Sequence, residues 1–122
     1  PFSKNQKKNT AYNKAKYALT TSRLDLADSE KQLLRNVESV YLDAISAQNQ
    51  YTSATERLSY VTESYTLTEE QFNLGMKNTV ELLTEKNNFL TAQQERLQAK
   101  YMALMSIQIL NVYQAKPIAE SF

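Results

Sequence analysis

The stretch Phe72-Asn73-Leu74-Gly75-Met76-Lys77-Asn78-Thr79-Val80-Glu81-Leu82-Leu83 holds the only glycine of the chain. Long runs with helical periodicity and no internal proline lie on both sides of it. Glycine tolerates the left-handed backbone that ends a helix just past its last turn. Asn78 is then placed to cap the following helix, and Glu81 stands three residues on, the spacing of a capping box. The stretch therefore predicts helix, tight turn, helix, with residues 75–78 as the tip of a hairpin.

The rest of the composition suits this reading. The 122 residues include one Gly, two Pro, no Cys and no Trp. That balance, with abundant Ala, Leu, Gln, Glu and Lys, fits long helices and argues against a sheet protein. The fold class expected is all-α, a long antiparallel helical hairpin. The absence of Cys excludes a disulfide framework or a thiolate metal site and leaves the compartment open. No run approaches the ~18 consecutive apolar residues of a transmembrane helix. A first residue of Pro rather than Met reads as a piece of a longer protein. The formal net charge is +1, but Lys4, Lys7, Lys8, Lys14, Lys16 and Arg23 all precede the first acid, Asp25. Such an end can contact nucleic acid or anionic lipid, or form a solvated helix face; the scattered lysines and missing reading motif favour the last.

Residues 1–3 read as an extended lead-in and residues 4–74 as the first helix. Its opening shows Tyr12, Ala15, Leu19, Ser22, Leu26, Ser29 and Leu33 in alternating steps of three and four. The pattern then sharpens into Leu33, Val37, Val40, Ala44, Ala47, Tyr51, Ala54, Leu58, Val61, Tyr65, Thr68 and Phe72, a sustained heptad repeat with one polar member. A helix of about 65 to 70 residues needs partners along its length, because helix propensity alone does not hold it. Alanines in the seam let helices approach closely, and tyrosines fill the holes opposite them. Leu24, Leu34, Tyr41, Leu42, Ile45, Tyr60 and Leu67 lie off the seam and point to neighbours on more than one side.

Residues 79–115 read as the second helix. Leu83, Leu90, Leu97 and Leu104 repeat every seven residues, with companions Val80, Asn87, Gln94, Tyr101 and Gln108. Polar companions fix register at a cost in stability, face a wet channel, or place the true seam elsewhere. Met102, Met105, Ile107, Ile109, Leu110 and Val112 make the far end apolar nearly all round, so that end is expected to be the more buried. Lys116-Pro117 is expected to end the helix, leaving 118–122 as a linker or tail. The second helix covers only the nearer half of the first, so residues 4–35 need a partner from elsewhere.

The chemistry of an enzyme is missing from the sequence. There is no His and no Cys, which removes the commonest acid–base residue, thiol nucleophiles and typical zinc sites. One glycine cannot make a phosphate-binding loop. Carboxylate pairs such as Glu69-Glu70 and Asp25-Asp28 sit among many helix-surface charges. The expectation is no catalytic residue, no metal and no cofactor.

Several segments together resemble the outer membrane factor family, the TolC-like outer membrane efflux proteins, and specifically its second-repeat helical hairpin. Pro1-Phe2 resembles the lead-in that follows a barrel strand, and Ala15-Lys16-Tyr17-Ala18 the start of the long helix. Glu38-Ser39-Val40-Tyr41-Leu42-Asp43-Ala44 resembles the "valine-x-x-alanine-tyrosine-leu" region, imperfectly. The tip stretch from Gln71 to Leu83 is the strongest match: an aromatic, a hydrophobic–Gly–hydrophobic turn, a Thr or Ser, then Val/Leu–acid–Val/Leu–Leu. Gln93-Gln94-Glu95-Arg96-Leu97-Gln98-Ala99-Lys100-Tyr101 fits "A-Q-x-x-L-x-x-A-x-Y".

The resemblance implies a homotrimeric channel in the outer membrane of a Gram-negative bacterium, with this segment in the periplasm. It implies a periplasmic adaptor (membrane fusion) protein as partner and, through it, an inner-membrane pump. Outer membrane contact would come only through strands outside this chain, and no nucleic acid partner is expected. Leu74, Gly75 and Met76 would be the adaptor-docking turn: a glycine between two exposed apolar residues leaves a notch for another helix tip. Lys77 and Glu81 would be tip charges that help hold the channel closed, with Asn78 as the helix cap. Two positions depart from familiar members. Phe72 lacks a tyrosine hydroxyl, and Thr84 stands where an acid often lines the pore constriction. The competing reading is a self-associating coiled-coil module, the helical hairpin of an adaptor-type or structural protein. A membrane-surface helix using the basic start is a third.

Overall fold

The computed structural model describes the backbone of residues 2–120 and the side chains of residues 2–115. It contains two helices, α1 (Phe2–Asn73) and α2 (Thr79–Glu120), and no strand among the described residues. The fold is all-α, a helical hairpin. The chain divides into two compact units, Pro1–Glu38 and Ser39–Phe122.

Helix runs well past the expected limits at both ends. Phe2 and Ser3 are helical rather than extended, since neither has helix-breaking chemistry and a proline ahead of them is compatible with a helix start. Pro1 lies outside the described residues. At the other end α2 continues through Pro117 to Glu120, beyond the expected stop at residue 115. A proline removes one backbone hydrogen bond and strains the preceding turn, but later residues still donate to carbonyls upstream of it. Ser121 and Phe122, the rest of the expected tail, are outside the described residues. Threonines and serines persist inside both helices because their hydroxyls donate to the carbonyl four residues back, as in Thr62 to Leu58 (2.6 Å) and Ser106 to Met102 (2.8 Å). This local bond satisfies the side chain without breaking the helical ladder.

In the first unit every described side chain from Phe2 to Asn36 is exposed. The apolar stripe through Tyr12, Leu19, Leu26 and Leu33 therefore faces solvent.

The second unit carries the hairpin. On the α1 side, apart from Gln71 next to the turn, the less exposed positions are Val40, Ala44, Ala47, Tyr51, Ala54, Leu58, Val61, Tyr65, Thr68 and Phe72. These are the heptad positions expected from the sequence, and Leu42, Tyr60 and Leu67 lie off the seam and exposed. On the α2 side the seam is Leu82, Glu85, Phe89, Ala92, Arg96, Ala99, Ala103, Ser106, Leu110 and Tyr113, again in steps of three and four. Leu83, Leu90, Leu97 and Leu104 are not in it; they are 49–52% exposed. Each stands one position after a seam residue and so sits about 100° round the helix from it. The physical reason is size. Ala92 and Ala103 are almost fully buried against α1, and leucines there would hold the helices apart. The apolar far end is likewise not the more buried one. A helix with a single neighbour buries one stripe, so Ala103, Ser106 and Leu110 turn inward while Met102, Met105, Ile107, Ile109 and Val112 stay exposed.

Contacts between the helices run antiparallel from the tip. Ser64 donates to Glu85 Oε2 (3.1 Å), Tyr65 stacks on Phe89 (centroids 5.5 Å apart), and Arg57 pairs with Glu95 (3.2 Å). Arg96 follows, the one cation in the seam. Its guanidinium lies 5.7 Å from the Tyr51 ring centroid and makes long hydrogen bonds to Tyr51 Oη (3.3 Å) and Thr55 Oγ1 (3.4 Å). Flanking alanines let its stem lie across the seam while its head reaches polar partners.

Candidate functional site

The tip is built almost entirely from backbone and capping chemistry. α1 ends at Asn73, and the next N–H groups fold back onto its last carbonyls. Gly75 N–H donates to the Phe72 carbonyl (2.9 Å) and Met76 N–H to the Gln71 carbonyl (2.8 Å). This paired arrangement is a Schellman motif, which requires a left-handed residue at its centre. Gly75 supplies it with φ of 75°, and among the described residues no non-glycine residue has positive φ.

α2 starts three residues later with reciprocal caps. Glu81 N–H donates to Asn78 Oδ1 (2.8 Å), and Asn78 N–H donates to Glu81 Oε2 (3.0 Å). Leu82 N–H donates to the Asn78 carbonyl (3.2 Å) and opens the helical ladder. Two donors at the helix start, the Asn78 and Glu81 N–H groups, are thus satisfied by side chains the sequence places at the right spacing. The second carboxylate oxygen of Glu81 faces Lys77 Nζ at 3.9 Å. As an exposed pair four residues apart it contributes about 0.3–0.5 kcal/mol.

What this frame presents is an apolar pair with space between. Leu74 is 76% and Met76 69% exposed, and a Cβ built on Gly75 would meet nothing within 4 Å. Behind the turn, Thr68, Lys77, Val80, Glu81, Thr84 and Glu85 line a cleft of about 240 Å³. Its polar wall includes residues that sequence reasoning did not select. Thr68 is buried in the seam, and Glu85 accepts from Ser64. Thr68 was legible as the polar member of the α1 heptad, whereas Glu85 was not, because the leucine heptad draws the expected α2 seam away from it. Phe72 is half-buried in the α1 seam and lines no part of that cleft. Thr84 sits on it but spends its hydroxyl on the Val80 carbonyl (2.8 Å).

A model of the outer membrane efflux protein family matches residues 1–112. The chain belongs to that family. Comparison with curated proteins and with solved structures gives no match. As an outer membrane efflux protein it is a component of an efflux channel that works with adaptor proteins, in a family of transport channels rather than enzymes. Among the described residues no helix is long and apolar enough to cross a membrane, and no cluster of acids could hold a metal ion.

Proposed function

We propose that the hairpin is the periplasmic portion of a trimeric outer membrane efflux channel and that its tip docks a periplasmic adaptor protein. The observation that carries this is the tip itself. Leu74 and Met76 stand exposed on either side of Gly75, over open space, on a turn locked by a Schellman motif and a capping box. Exposed apolar residues on a rigid frame lose little entropy when another helix tip covers them. Lys77 and Glu81 are the proposed gating charges: both remain partly exposed, so each can exchange the local partner for one on a neighbouring hairpin.

The test is a single cysteine at Met76 in the channel protein, crosslinked in intact cells. These 122 residues contain no cysteine, and any cysteine elsewhere in the channel protein is first replaced, so that the adduct reports that site alone. The reading expects an adduct with a second, adaptor-sized protein. Adducts only between copies of the channel would place the tips against each other and remove the docking role. A complete lack of adducts would leave Gly75 as a simple turn.

A further inference from the structure

The N-terminal part of α1 carries a charge pattern that the efflux hairpin does not use. Six cations precede Asp25, and four of them share a face. Lys7, Ala11, Lys14 and Ala18 follow steps of four, three and four, and Lys4, Lys8, Ala11 and Ala15 do the same. Residues so spaced lie one above another on a helix. All are exposed, and among the described residues no carboxylate comes within ion-pair distance of these lysines. The first turn of α1 has no acid, so basic charge sits where the helix dipole disfavours it. Helix stability therefore gives no reason for the pattern, whereas an anionic surface would relieve it.

We propose that this lysine face docks on a bilayer surface of anionic phospholipid. Three observations select that occupant. On the lysine face itself the other residues are Ala11, Ala15 and Ala18, which put no bulk between the charges and a surface. Tyr12 follows Lys8 by four residues and Tyr17 follows Lys14 by three; both rings are exposed beside the charges, where aromatic side chains favour the headgroup layer. The apolar stripe of α1 starts only at Tyr12, so Lys4, Lys7 and Lys8 lie outside the part shaped for packing against protein. Family membership places the chain in a protein of the outer membrane, so a lipid surface is at hand. Lysines act as point charges on such a surface and lack the forked geometry used to read nucleic acid bases.

The test is flotation of the whole chain with phosphatidylglycerol–phosphatidylcholine vesicles and with pure phosphatidylcholine vesicles. Circular dichroism follows helix content in each sample. Binding is expected only to the anionic vesicles, weakening as salt shortens the screening length to about 10 Å at 0.1 M. Replacing Lys4, Lys7, Lys8 and Lys14 by Gln should lower partitioning about fivefold per lysine. Replacing Lys31, Arg35, Lys86 and Lys100 by Gln should leave it unchanged. An all-arginine version of the lysine face keeps the charge and should still bind, so loss of helix in the glutamine variant does not blur the result. Equal binding to neutral vesicles, equal loss in both glutamine sets, or duplex DNA bound as tightly as the vesicles at the same salt each overturns the proposal.

Discussion

Gly75 carries the turn by conformation alone. Because a Cβ there would meet nothing within 4 Å, the cost of Gly75→Ala is the left-handed backbone by itself, about 1–2 kcal/mol. Gly75→Asn should cost less, since asparagine tolerates that region. Urea denaturation of the chain checks the order Gly, Asn, Ala; equal losses for Asn and Ala would mean that side-chain crowding, not φ, sets the cost. Six residues on, Glu81 serves two roles that a single substitution separates. Asn78→Ala removes the cap and should destabilise by about 1 kcal/mol. Glu81→Gln keeps an acceptor for the Asn78 N–H and loses only the charge facing Lys77, so stability should fall by no more than about 0.5 kcal/mol. If Glu81 also acts as a gating charge, the same variant should leak small solutes through the channel with the hairpin intact. Leakage from Glu81→Ala but not from Glu81→Gln would assign Glu81 to capping alone.

The two helices differ in how plainly their sequences show the seam. In α1 the contact face is written in apolar residues, so its register reads directly from Val40 through Phe72. In α2 the same spacing runs through Leu82, Glu85, Phe89, Ala92, Arg96, Ala99, Ala103 and Ser106, and six of these eight are small or charged. The leucine heptad beside it is the louder signal and sits on the wrong face. Hydrophobicity alone misses a seam chosen for close approach, where the buried residues are alanines on both helices and Arg96 is tolerated because Tyr51 and Thr55 receive its guanidinium. The turn needed no such inference, because its glycine and capping spacing are local chemistry. Adjacent substitutions in α2 test the seam. Ala103→Leu overfills a buried position and should cost about 1–3 kcal/mol. Leu104→Ala, at a half-exposed site, should change the isolated chain by at most about 0.5 kcal/mol. Were the leucine heptad the true seam, Leu104→Ala would instead cost about 2–5 kcal/mol.

Taken as one chain, the protein buries very little. Among the described residues the buried apolar side chains are Ala44, Ala47, Ala92 and Ala103, and no large side chain is fully buried. Four alanines are a poor core, while Leu83, Leu90, Leu97 and Leu104 together offer a continuous half-exposed apolar row on α2. Covering each leucine completely is worth up to about 1.5–3 kcal/mol relative to full exposure, so even the remaining half, over four residues, is a substantial drive to acquire a neighbour. In an assembled efflux channel that row should be covered by another helix. A cysteine replacing Leu97 should resist a water-soluble maleimide in the assembled channel and react after the subunits are dissociated. Gln98, the next residue, is exposed and polar; a cysteine there should react in both states, because it sits about 100° round α2 from the leucine row and outside the face that a helix on that row would cover. The adjacent pair controls for local flexibility, since one turn of helix carries both sites. Protection at 97 alone would show that the leucine heptad is an interface between hairpins. Equal reaction at 97 and 98 in the assembled channel would mean that the row faces water, and that the stability of this long hairpin comes from somewhere other than its leucines.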